Sequence, residues 1–241
     1  MWIEGSPKDT RNMITAANVS PRFKARTAGF FYALMIPIGA IPSIVGRVRI
    51  SSDAATTAAD ILAHPSLIHC AFAVDLLVVA CYIPVTALLY ELFKPVNGTI
   101  SLTAAFFSLV GCIVQTFASL FRIAPLVLLT GAQPDQAAAQ AYLLLKLYKP
   151  AYGIGLVFFG FYLILIGCLI FKSTFMPRLL GVLVVVSGVA GLTFLWPPLA
   201  QVLWPRVLMI LFAGEGLMIL WLLIAGVNAE RWNERAAAAR G

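Results

Sequence analysis

Two carboxylates stand where carboxylates are rare. Asp75 lies inside Ala73-Val74-Asp75-Leu76-Leu77-Val78-Val79 and Glu215 inside Phe212-Ala213-Gly214-Glu215-Gly216-Leu217, each within a long apolar run. A charge near the middle of a membrane helix costs about 2.5–3.5 kcal/mol on insertion scales, so each acid needs a partner, a proton or a function. Two such acids at one depth can divide acid–base chemistry, a protonated carboxyl donating while its neighbour stabilises positive charge. Asp75 and Glu215 are therefore the catalytic candidates. Gln115, Arg122, Lys149 and His69 are the nearby polar groups that could bind the polar end of a ligand.

A metal centre is not expected. His64 and His69 are five residues apart, a poor spacing for one helical face, and the chain has 2 histidines. Cys70, Cys81, Cys112 and Cys168 all fall in apolar runs without Cys-x-x-Cys spacing, which suits packing rather than a zinc site or disulfide framework. No phosphate loop, Gly-x-Ser-x-Gly elbow or His-Glu-x-x-His stretch occurs, and no cofactor is expected.

The elements that hold these residues follow from composition. Of 241 residues 61% are hydrophobic and 11% charged, where soluble domains carry about 25% charge. Apolar runs of about 20 residues mark spanning helices, and they fall at 28–47, 67–91, 101–122, 150–171, 178–197 and 206–227. Breakers separate them: Asp53, Asp60 and His64-Pro65, then Lys94-Pro95-Val96-Asn97-Gly98, Gly131-Ala132-Gln133-Pro134-Asp135, Met176-Pro177 and Trp196-Pro197-Pro198. The expected architecture is an all-α polytopic membrane bundle of six helices at 28–227, between polar tails at 1–27 and 228–241. Segment 136–149 reads as an interfacial helix leading into a span whose first turn holds Pro150, the alternative being the outer end of a long span kinked there.

Counting residues from the outer ends of these spans places Asp75 and Glu215 about 12–14 Å deep and Gln115 about 10 Å deep, one shared layer. Lys149 joins them if its span starts near Ala141. Small residues at near-helical spacings, Gly181, Ser187, Gly188 and Gly191 with Gly153, Gly155, Gly160 and Gly167, suit close packing of membrane helices.

The net charge of +7 is scattered through connections and termini without a basic stripe, so nucleic-acid binding is not expected. With an even number of spans, 11 of the 17 Lys and Arg residues fall on the side of the termini, which predicts cytoplasmic termini. Trp196 and Trp204 suit an aromatic belt on one side, Trp221 and Trp232 on the other. Asn18-Val19-Ser20 and Asn97-Gly98-Thr99 match the glycosylation pattern but fall on that cytoplasmic side.

Several short strings resemble a known family. Asp53-Ala-Ala-Thr-Thr-Ala-Ala-Asp-Ile-Leu62, Asp75-Leu-Leu, Leu88-Leu-Tyr90 with Lys94-Pro-Val-Asn97, Gly155-Leu-Val-Phe-Phe-Gly160 through Pro177-Arg-Leu-Leu-Gly181, and Gly214-Glu215 through Trp221-Leu-Leu and Gly226-Val-Asn228 resemble, in this order, the bacterial domain-of-unknown-function family numbered 4386. The resemblance runs over residues 26–232. It implies a multi-pass bacterial inner-membrane protein and acidic residues at positions 75 and 215, and it carries no activity. Ser108 stands where the family commonly has arginine, and Lys149-Pro150 replaces a stretch that often carries histidine.

Three functions are compatible with these residues. The leading one is binding of a lipid or other small amphipathic molecule by a polar pocket in the outer half, with membrane lipids as partners. The second is an intramembrane enzyme that uses one protonated carboxyl as general acid on an isoprenoid or lipid. The third is a structural or regulatory subunit whose polar layer ties helices together, with Asp75 or Glu215 paired to Arg122 or Lys149.

Overall fold

The computed structural model describes residues 20–46, 48–131 and 134–239. Most of the expected N-terminal tail, including Asn18-Val19, lies outside the described residues, as do Arg47 and Arg240. The described helices, in chain order, are α1 (Pro21–Val45), α2 (Ala54–Ala63), α3 (Pro65–Phe93), α4 (Gly98–Gly131), α5 (Pro134–Lys172), α6 (Arg178–Leu192), α7 (Pro197–Leu203), α8 (Arg206–Ile224) and α9 (Ala229–Ala238). Five of them, α3, α4, α5, α6 with its 3-10 extension to Leu195, and α8, are long and apolar enough to cross a membrane. α1 has 25 residues, about 37 Å of helix, and completes the bundle.

The helix ends obey local chemistry. Ser20 caps α1 by accepting from the Phe23 N–H, with Pro21 in the first turn; Asn97 accepts from the Ile100 N–H to start α4; Asn228 does the same for α9 through Arg231. Gly226, at φ 64°, adopts the left-handed conformation that ends α8. Pro37, Pro42, Pro84, Pro125 and Pro150 all lie inside helices, which membrane bundles tolerate because neighbouring groups satisfy the freed carbonyls.

Contacts between elements close a ring in the order α1, α3, α4, α5, α6, α8 and back to α1. Neighbours run antiparallel: Lys24 near the start of α1 meets Glu91 near the end of α3, and Gly160 and Gly167 of α5 meet Gly188 and Gly181 of α6. The side of the bundle where α1 begins and α8 ends is called basal below, and the other distal. The α5–α6 seam is glycine-lined. A Cβ at Gly167 would come within 2.7 Å of the Gly181 carbonyl oxygen, and one at Gly160 within 2.8 Å of that of Gly188, so the two backbones touch as the small-residue spacing predicts.

Three expectations are corrected. Segment 136–149 is no separate interfacial helix: α5 runs unbroken through Pro150 for 39 residues, about 58 Å. Helix α1 begins at Pro21, seven residues ahead of the apolar run expected from 28, because Ser20 and Pro21 form a start signal and Arg22, Lys24 and Arg26 ride its first turns. The stretch around Asp53 and Asp60 is a capped helix, α2, whose Ile61 is fully buried against α4 and α5. Trp196-Pro197-Pro198 opens a further short helix, α7, instead of a plain turn.

Candidate functional site

The apolar core is divided in two. The larger cluster fills the basal half and includes Tyr82, Leu89 and Phe93 of α3, Ala104 and Cys112 of α4, Phe159, Tyr162 and Ile166 of α5, and Met218 and Leu222 of α8. The smaller, distal cluster is Ile61, Ile68, Leu126 and Leu145 from α2, α3, α4 and α5. From Ile68 to Tyr82, Cys112 to Leu126 and Leu145 to Phe159 each interval is fourteen residues, about 21 Å of helix. In these three intervals lie Asp75, Gln115, Arg122, Tyr148 and Tyr152, a polar layer between two apolar ones.

Asp75 sits in the distal part of this layer. Its Oδ2 lies 3.1 Å from the Arg122 Nε and accepts from the Tyr148 hydroxyl at 3.3 Å. The Arg122 guanidinium stacks over the Tyr148 ring, 4.2 Å from its centroid, so one cation serves both a carboxylate and an aromatic face. The ion pair is partly open, with side-chain exposures of 23% for Arg122 and 20% for Asp75.

Glu215 sits at the floor of the layer. Its Oε1 accepts from Tyr32 of α1 at 2.6 Å and from Tyr82 of α3 at 3.2 Å, and the two tyrosine oxygens are 2.7 Å apart. Tyr32 has a single hydrogen and places it on Glu215, so Tyr82 is the donor of its own contact, to Tyr32 or to Glu215. Below them Tyr162 is 1% exposed, its ring centroid 6.1 Å from that of Tyr82, and its hydroxyl has no hydrogen-bond partner among the described residues.

The two acids do not meet directly. Asp75 and Tyr82, the α3 residues at the two centres, are separated by two helical turns, about 10 Å, so each acid has its own set of partners. Between the centres stands Tyr152 of α5, beside Gln115 and within electrostatic reach of Asp75, Arg122 and Glu215. Gly155 leaves room for Gln115, since a Cβ there would come within 2.7 Å of the Gln115 Cγ. Asp75, Gln115, Arg122, Tyr148, Tyr152 and Glu215 are all partly exposed, whereas Tyr32, Tyr82, Tyr162 and Cys112 just below them are buried.

Two expected ligand-binding residues lie elsewhere. The Lys149 ammonium sits 4.5 Å from the Trp204 ring centroid, where α7 joins α8, because Lys149 and Tyr148 are neighbours on α5 and point to different sides of it. His69 lines a separate groove of about 370 Å³ between the distal ends of α3 and α4, with Phe72, Ile123, Leu126 and Thr130. Among the described residues no group of three His, Cys, Asp or Glu is placed to hold a metal ion.

Tyr32, Tyr82, Tyr148, Tyr152 and Tyr162 were not expected at the site, since tyrosine in an apolar run is read as an apolar side chain. A signal existed in α4, where Ser101, Ser108, Gln115 and Arg122 recur every seventh residue. All four are used: Ser101 donates to the Tyr90 carbonyl at 2.9 Å, Ser108 and Thr86 lie 2.6 Å apart, Gln115 meets Tyr152, and Arg122 meets Asp75. Seven-residue spacing keeps one face toward a packed neighbour, so it marks a polar seam as readily as an apolar one.

These features define an all-α polytopic membrane bundle with a polar layer enclosed among its helices. The chain belongs to the family described as domain of unknown function DUF4386, whose model matches residues 27–226. An uncharacterized protein of Archaeoglobus fulgidus is 30% identical over 152 residues, covering 62% of this chain and 80% of that protein. No solved structure matches.

Proposed function

We propose that this membrane protein binds a lipid or other small amphipathic molecule whose polar end enters the layer bounded by Asp75, Arg122, Gln115, Tyr152 and Glu215. The observation that supports this reading is the partial exposure of six polar side chains from α3, α4, α5 and α8 in the layer between the two apolar clusters. A layer that served only to tie helices would gain most by complete burial and full pairing.

Mass spectrometry of lipids and metabolites that stay with the purified protein tests the reading, with Asp75→Asn and Glu215→Gln as controls. Retention of a defined molecule that these isosteric changes remove, while both variants stay monodisperse, supports it. Folded variants that keep the same molecules as the parent would leave the layer a structural tie.

The same reading places the protein in an inner (plasma) membrane with its basal side toward the cytoplasm, on the strength of 11 of 17 basic residues. Reporters fused in the turn at 94–98 and near Asp53 should then report cytoplasmic and external positions respectively, and the reverse result would invert the bundle.

A further inference from the structure

Charge pairing within the polar layer separates its two acids. Among the described residues the ion pairs are Lys24 with Glu91, His64 with Asp60, and Arg122 with Asp75. Glu215 has none. The basic groups nearest in the chain to the layer are engaged elsewhere, Arg122 on Asp75, Lys149 over Trp204, and Lys146 over the Tyr142 ring at 4.3 Å. The groups bonded to Glu215 are phenols, Tyr32 from α1 and Tyr82 from α3, with the ring of Tyr162 from α5 packed against that of Tyr82.

Two acceptor positions are left over. Every hydrogen bond to Glu215 among the described residues falls on Oε1, so Oε2 is unused. The Tyr162 hydroxyl, on a ring packed against that of Tyr82, is buried without a partner among the described residues, a state that costs the desolvation of the group unless something fills it. Aromatic rings cluster beside the carboxylate: Tyr32 and Tyr82, which bond it through their hydroxyls, have ring centroids 5.3 Å apart, and those of Tyr82 and Phe159 are 4.6 Å apart. A carboxylate and ring faces without a protein cation form a receptor for positive charge. An anionic head group finds no such site, because the Arg122 guanidinium is already neutralised by Asp75.

We propose that the Glu215 centre is a site for a lipophilic ammonium, an amine on a hydrocarbon chain. Its N–H groups donate to Glu215 Oε2 and the Tyr162 oxygen, and its charge rests against the tyrosine rings. This deepens the ligand-binding reading above, on which it rests, by naming the charge of the ligand.

Three probes of one chain length separate charge from apolar contact: tetradecylamine, tetradecanol and myristic acid, each measured by equilibrium dialysis against the full-length protein in a neutral detergent. The amine should be held about ten-fold more tightly than either other probe. Glu215→Gln should abolish that preference, Glu215→Asp, which keeps the charge, should retain part of it, and Tyr162→Phe should weaken the amine alone. Equal retention of the three probes, or an undiminished amine preference in a monodisperse Glu215→Gln protein, would overturn the ammonium assignment and leave amphiphile binding intact. Retention of none of the three would count against both.

Discussion

In the basal half of the bundle the helices are held by apolar contact and backbone approach, whereas in the distal half the same helices are held by a few polar contacts around partly exposed side chains. The basal half contains the larger core cluster and the closest contacts of α5 with α6. It is also pinned at its end: Arg26 donates to the Ile224 carbonyl, Trp232 to that of Leu92, and Arg22 to that of Val227. The distal half has a four-residue cluster, and α1 contributes no buried side chain there among the described residues. Lipid tails are as apolar as leucine, so helices in a bilayer cohere through close packing and hydrogen bonds rather than hydrophobic burial.

The largest effect should come from forcing the glycine seam apart. Gly167→Leu places a side chain against the backbones of Gly181 and Val185 and should destabilise the protein by about 3 kcal/mol or more, read as a lowered thermal midpoint in detergent. Gly216→Leu is the matched control, since nothing lies within 4 Å of a Cβ there, and its midpoint should stay unchanged. Equal effects at both positions would remove the contrast between seam and periphery.

A smaller loss is expected from unpairing the distal acid. Arg122→Gln leaves Asp75 with Tyr148 alone; after discounting for its partial exposure, the change should cost about 1–2 kcal/mol. The double variant with Asp75→Asn should recover much of that loss in a double-mutant cycle. Strict additivity would show that the pair is not coupled.

Smaller again is the difference between two tyrosines at the boundary of the halves. Tyr82→Phe removes a hydroxyl bonded to Tyr32 and Glu215 and should cost about 1 kcal/mol. Tyr162→Phe removes a buried hydroxyl without a partner and should leave the ligand-free protein as stable or more so. A larger loss from Tyr162→Phe would show that its hydroxyl is already satisfied.

The smallest effect concerns α2, at the distal rim. The backbone N–H and hydroxyl of Thr56 hold the Asp53 carboxyl below the usual carboxylate range. The lowered folded value means that the cap stabilises α2 fully above the ordinary aspartate value of about 3.9 and fades as pH falls through the folded one. Amide exchange in α2 should quicken on acidification below that range while α5 stays protected. Constant protection of α2 down to the folded value would show that the cap does not hold the helix.

The family, the all-α class, the location of the long apolar helices and the close packing at Gly160, Gly167, Gly181 and Gly188 were legible in the chain, because each rests on composition or on spacing within one helix. Asp75, Gln115, Arg122 and Glu215 could be singled out for the same reason: a polar group in an apolar run stands out by itself. Helices α2 and α7 were missed where polar and proline-containing stretches resembled loops, and α5 was divided at Pro150 because a proline that breaks a helix in water is tolerated in a packed bundle.

Tertiary structure alone decided the pairings. Asp75 takes Arg122 and Tyr148 from two other helices, while Glu215 receives Tyr32 and Tyr82 from opposite parts of the chain. Depth counted from span ends could not show which partners each acid takes, because those partners come from other helices. Nor could composition show which tyrosines turn a hydroxyl inward, since a ring that faces lipid and a ring that faces a carboxylate are the same residue in the same apolar stretch.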